Sequence, residues 1–238
     1  MLTLEMAADA IRQLIISRSL ASSLASLFPV PYLDEALAAR IRESMIERLA
    51  DIRSVDLEPG VAEMIASPQP SNLINAAGLG ALALAATRRI WRRVATSIFL
   101  YKRVDEAMTS YQVGTLFDHY CRKHHAGAAL DPHRAVKLRR AFEEAIKKAR
   151  GELVSDAFER TLHRTESVLR RLPSPFGKKN TLPAEADSTR LGRESAVLEA
   201  ELVETERGYV SFLTEAFDDV WARYRLREQL VAEAKHTS

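Results

Sequence analysis

Apolar residues recur at spacings of three and four along most of this chain, and no segment alternates at a spacing of two. Leu4, Ala7, Ala8, Ile11, Leu14, Ile15, Leu20, Leu24 and Leu27 fall on one face of a helix, and Leu33, Leu37, Ile41, Met45, Leu49 and Ile52 form a second stripe. Phe28-Pro29-Val30-Pro31 separates the two, because proline disfavours helix in the residue before it. That pattern admits an all-α fold and leaves no strand to build a sheet. Abundant Ala, Leu, Arg and Glu point the same way, since these side chains lose little rotamer freedom in a helix.

Further punctuation divides the rest. Glu58-Pro59-Gly60 is a turn, Val61 to Ala66 a short helix, and Ser67-Pro68-Gln69-Pro70 another break. Helical patterning resumes from Asn72 to about Arg122, with breaks expected near Gly78-Gly80 and at Gly114. Asp131-Pro132 pairs an N-cap acid with proline at the first helical position, which starts a helix. The stripe Leu138, Phe142, Ile146, Ala149, Leu153, Phe158, Leu162 and Leu169 carries that helix to Leu172, with Gly151 as its weak point. Residues 173–190 hold prolines and a glycine without an apolar period, and read as a linker. The expected organisation is a multi-helix bundle over residues 1–172, the linker, and a long acidic helix within 191–238.

The bulk composition is that of a globular chain able to bury a core, with 47% hydrophobic and 28% charged residues. Cys121 is the one cysteine, so no intramolecular disulfide forms, and a reducing, bacterial cytoplasmic setting is expected. Glu5 and Asp9 at the N-terminus argue against a secretory signal. The longest apolar run, Leu73 to Ala86, falls short of the roughly 18–20 residues of a spanning helix.

Net charge is only +2, yet the charges are segregated. Six bases and no acid lie between Arg88 and Arg103, whereas eight acids lie between Glu194 and Asp219. On a helix, Ile90, Trp91, Val94, Ala95, Ile98 and Tyr101 share one side, and Arg88, Arg89, Arg92, Arg93, Thr96 and Arg103 the other. A basic amphipathic helix bordered by Trp suits a lipid interface, the bases meeting anionic headgroups while the apolar side inserts. The bland alternative is the buried centre of a bundle, with arginine stems covering apolar surface. The candidate membrane or partner contacts are therefore Arg88, Arg89, Trp91, Arg92, Arg93, Ile98, Lys102 and Arg103. Tyr209, Phe212, Phe217 and Tyr224 on the last helix are the candidate interface for a partner protein or a second copy. Nucleic acid is disfavoured, because no helix-turn-helix, zinc-finger or single-strand-binding signature accompanies the bases.

Catalytic signatures are missing: there is no G-x-S-x-G, H-E-x-x-H or Walker-A loop. His119, Cys121, His124, His125 and His133 cluster in sequence, and Cys121 and His125 are one helical turn apart. Zinc usually takes four ligands in recognisable pairs, so the histidines read as an exposed helix end whose carbonyl dipole favours them. No metal and no cofactor is expected, and no enzymatic activity.

Phe28-Pro-Val-Pro-Tyr-Leu-Asp34, Met45-Ile-Glu-Arg-Leu-Ala-Asp-Ile52, Val55-Asp-Leu57, and the register Tyr111, Gly114, Phe117, Tyr120 together resemble the YcjF-like domain. That bacterial domain occurs fused to or beside Era-like and dynamin-like GTPases. The resemblance covers about residues 28–120. It implies a helical accessory protein peripheral to the inner membrane, working beside a membrane-linked GTPase. Arg88-Arg89 and Arg92-Arg93 stand where the family's apolar hairpin continues, and no GTPase domain lies on this chain.

Overall fold

The structure is a computed structural model that describes residues 2–25, 33–67, 91–149, 159, 208–230 and 233. Its elements are α1 (Leu2–Ala25), α2 (Leu33–Arg53), α3 (Val61–Ala66), α4 (Trp91–Lys123) and α5 (Pro132–Lys148), followed by a helix over 208–230, here α6. No strand occurs among the described residues. One isolated parallel bridge joins Leu57 to Leu130, tying the α2–α3 turn to the α4–α5 turn. Leu130 N–H donates to Asp56 O at 2.8 Å and Glu58 N–H to Leu130 O at 3.1 Å. The architecture is an all-α bundle. No helix among the described residues is long and apolar enough to cross a membrane.

α4 is the spine. α1 and α2 both pack along it, α3 bridges α2 and α5, and α5 and α6 close the other side. α1 runs antiparallel to α4, as Ile15 lies beside Gly114 while Ser22 Oγ meets Ser110 Oγ at 2.7 Å. α2 runs parallel to it, from the Arg42–Glu106 ion pair to the Arg53–Asp118 pair at 2.7 Å. Ser19, Ser22 and Ser23 are fully buried on α1. Ser19 and Ser23 satisfy their hydroxyls on the carbonyls of Ile15 and Leu20, so small polar residues line the seam at no hydrogen-bonding loss. Arg42 is a buried cation held on two sides: Nε donates to the Ala66 carbonyl at the end of α3, and Nη1 meets Glu106. Burial, with the Arg139 charge adding, lowers its pKa to about 10, which leaves it charged at neutral pH.

Several local signals act as the sequence implied. Asp131 caps α5, accepting from Arg134 N–H at 2.8 Å with Pro132 in the first turn. The short helix after Gly60 spans Val61–Ala66, and Gly60 takes φ +80° in the turn before it. Two expectations need correction. Gly114 does not break α4, which runs unbroken through it; the missing side chain instead lets α1 and α2 approach. The helix begun at Asp131 closes at Lys148 rather than running on to Leu172. Ala149 leaves helical geometry (ψ 78°), its N–H still bonded to Ala145 O. Residues 150–158, 160–172, the 173–190 linker and the Gly78-Gly80 break lie outside the described residues.

α6 carries Leu213, Ala216, Phe217, Val220 and Trp221 at helical spacing, and all five are buried in the same core as α4 and α5. Over its described residues, 208–230, the C-terminal helix is thus packed on the helices that precede it. Its aromatic stripe meets Phe142 and Tyr120: Phe142–Phe217 ring centroids are 5.3 Å apart and Tyr120–Trp221 centroids 5.4 Å apart, the latter edge to face. Tyr209 accepts a hydrogen bond from Gln112 and lies 3.4 Å from the Ala149 carbonyl. Farther along, Tyr224 donates to Glu144 at 2.8 Å, and Lys137 pairs with Glu228.

Candidate functional site

The basic segment enters α4 as formed helix from Trp91 onward. Arg88 and Arg89 lie outside the described residues, as do the side chains of Trp91, Arg92, Arg93, Ile98 and Lys102. Arg103 corrects the expectation made for it. It is only 4% exposed, one heptad ahead of Ser110 on the face of α4 that α1 covers. By that level the basic face has turned into the bundle, so Arg103 is not available to an outside surface.

The proposed aromatic interface on α6 is corrected in the same way. Phe217 is fully buried within its own chain, and Tyr209 and Tyr224 are half-buried and hydrogen-bonded to neighbouring helices. Phe212 alone of the four is exposed, at 53%, because it lies off the buried stripe. The chain's own Phe142 and Tyr120 supply the partner that the aromatics required.

A polar cluster missed in the sequence forms where the C-terminal end of α4 meets α6. His119 lies in the last turns of α4 and His124 just past its end, where its N–H bonds to Tyr120 O at 2.8 Å. Their Nε2 atoms lie 2.9 and 2.6 Å from a single oxygen, Asp218 Oδ1, on α6. Lys123 Nζ donates to the other carboxylate oxygen, Oδ2, at 2.7 Å. Burial by itself raises the Asp218 pKa, but the bonds from Lys123, His124 and His119 outweigh it and hold the carboxyl at about 2. The carboxylate is therefore ionised at any physiological pH.

The surroundings are aromatic. Phe217 meets both imidazoles edge to face, at 6.1 Å from His119 and 5.7 Å from His124. Tyr120 stacks beside His124 at 6.5 Å, and Trp221 stacks on Phe217 at 5.9 Å. The two imidazoles are largely buried and Asp218 is 24% exposed, so the cluster is walled on the protein side and open at one edge. One ring nitrogen each of His119 and His124 and a carboxylate oxygen of Asp218 all lie within 4.8 Å of one another, close enough for one ion to reach all three.

Cys121 belongs elsewhere. It neighbours Asp118 and Arg53, and burial, reinforced by the Asp118 charge, pushes its thiol up to about 12. A thiol so held is a poor nucleophile and a poor ligand. The pairing of Cys121 with His125 considered from sequence therefore gives way to His119 with His124, drawn together by a carboxylate 94 residues beyond His124. No spacing rule reaches that far. Comparison with known proteins finds no match: no family model, no curated protein and no solved structure is significantly similar to the chain.

Proposed function

We propose that this chain is a non-enzymatic helical accessory protein that attaches reversibly to an anionic membrane surface through the basic N-terminal turns of α4 and the two arginines before them, in the cytoplasm at the inner face of the membrane. The observation that carries the reading is charge segregation on a formed helix. Between residues 88 and 103 there are six bases and no acid, and the chain is helical from Trp91. With Arg103 buried, the bases left for the contact are Arg88, Arg89, Arg92, Arg93 and Lys102, bordered by Trp91 and Ile98. Near an anionic leaflet each base contributes about 1 kcal/mol. Five of them with modest apolar insertion suffice for reversible attachment and fall short of permanent anchoring. The resemblance to the YcjF-like domain adds a membrane-linked GTPase as the protein partner expected at the same place.

The rest of the molecule supports a scaffold more than a catalyst. The ion pairs Arg42–Glu106, Arg53–Asp118 and Arg122–Asp118 each join or brace helices. The reading is tested by sedimentation with vesicles of phosphatidylglycerol against phosphatidylcholine. The full chain is expected to pellet with the anionic vesicles alone and to be released by salt, since the screening length is only about 8 Å at physiological ionic strength. Replacing Arg88, Arg89, Arg92 and Arg93 by Gln is expected to abolish pelleting while helix content is kept. Equal partition onto neutral vesicles, or pelleting unchanged by the four substitutions, refutes the membrane contact.

A further inference from the structure

The His119–His124–Asp218 cluster is not used by the basic-helix reading and is built too specifically to be surface decoration. Two imidazole nitrogens from the end of α4 converge on one oxygen of a carboxylate from α6, at 2.9 and 2.6 Å. The three donor atoms lie within 4.8 Å of one another, so small side-chain rotations place all three about 2.0–2.2 Å from a common centre. Lys123, bonded to Oδ2, fixes the carboxylate with Oδ1 toward the imidazoles, as the outer partners of metal ligands do. Phe217, Trp221 and Tyr120 shield the imidazoles on the protein side, and the partly exposed Asp218 leaves an edge through which an ion and its waters can pass.

We propose that His119, His124 and Asp218 bind a divalent transition metal ion, zinc foremost, which locks α6 to the end of α4. Two imidazoles and one carboxylate suit zinc, and equally iron, nickel or copper, whereas magnesium and calcium prefer all-oxygen sets. Three protein ligands leave at least one position to water. The ligands come from the C-terminal end of α4, the residue just past it, and α6, so the ion is a cross-link: it binds only when α6 is docked, and it stabilises the docked state by mass action.

The test titrates the full chain, stripped with chelator and dialysed, with Zn²⁺ by calorimetry and with Co²⁺ by visible absorption. The expected result is one equivalent of each ion, ligand-field bands for Co²⁺ that Zn²⁺ displaces, and a raised melting temperature with Zn²⁺. His119→Ala, His124→Ala and Asp218→Asn are each expected to abolish the Co²⁺ bands. Lys123→Gln is expected to weaken Zn²⁺ binding by about tenfold, the scale of losing a ligand's outer partner. His133→Ala, an exposed histidine on α5, is the control and retains full binding. Absence of one-to-one binding by the wild-type chain overturns the proposal without recourse to any variant. So does equal binding by the folded His119→Ala/His124→Ala double variant, which would place the ion elsewhere.

Discussion

Gly114 on α4 and Met45 on α2 meet at the limit of van der Waals approach: a β-carbon on Gly114 would stand 3.0 Å from both Sδ and Cε of Met45, and 3.1 Å from Ile15 Cγ2 of α1. Three helices therefore converge on a single absent side chain. Gly114→Ala sets two effects against each other. Alanine favours the helix by about 1 kcal/mol, while forcing a methyl into a packed core costs about 1–3 kcal/mol. Met45 yields at its flexible end, but Ile15 is branched and stiff. A net loss of about 1 kcal/mol is expected in urea unfolding, and Gly114→Val, which adds more bulk for a smaller propensity gain, loses more than the alanine. A stabilised Gly114→Ala variant would show that the seam has slack.

Ser54 ends α2 in a conformation that glycine usually takes. Its φ is +53°, its N–H bonds to Asp51 O at 3.1 Å, and Val55 N–H bonds to Ala50 O at 2.9 Å. This is a Schellman closure, with Val55 and Ala50 both buried beside it. A left-handed residue with a side chain costs about 1–2 kcal/mol, part of which glycine returns through the greater freedom of its unfolded chain. Ser54→Gly is expected to stabilise the protein by about 0.5–1 kcal/mol, read as a higher urea midpoint with an unchanged slope.

The docking of α6 makes a sharper claim. Phe217 touches His119, His124, Phe142 and Trp221 and is fully buried. Phe217→Ala is expected to cost about 3–5 kcal/mol, the range for deleting a core aromatic. A chain ended at residue 172 is expected to lose cooperative unfolding, since Phe142 and Tyr120 would be stripped of their cover. A truncated chain that unfolds as cooperatively as the whole would make α6 an appendage. Phe212→Ala, on the exposed side, is expected to change stability by no more than about 0.5 kcal/mol.

Cys121 is expected to be inert while the protein is folded. Burial first, then the Asp118 charge, raise its pKa to about 12, against an ordinary thiol near 8.5. A raised thiol pKa leaves stability unaffected below the ordinary value. Stability is lost as the pH climbs from about 8.5 toward 12, where the unfolded thiol ionises and the folded one does not. At pH 8 a thiol reagent should label the native chain at under about a tenth of its rate on the urea-unfolded chain, in proportion to thiolate. Equal rates would mean that the pocket around Cys121 is open.

Local instructions were legible in the amino-acid order. Spacings of three and four set the helices, Asp131-Pro132 set the start of α5, and Glu58-Pro59-Gly60 set the turn into α3. Each depends on the 3.6-residue period, a cap or a fixed φ, which act within a few residues and so can be read from a string of letters. What each face meets was not legible. Arg103 looked like part of an exposed basic stripe until α1 and α2 were placed along α4, and Gly114 looked like a break until Met45 and Ile15 came against it. The aromatics of α6 asked for a partner, and only the fold showed that Phe142 and Tyr120 are that partner. Likewise His119 and His124 read as a helix end because Asp218 lies 94 residues past His124. That this chain makes amphipathic helices, and where several of them begin and end, follows from the order of its residues alone. Which faces are core, and which distant carboxylate closes on the two histidines, was decided by tertiary packing. Burial belongs to pairs of surfaces, and one surface does not carry the identity of the other.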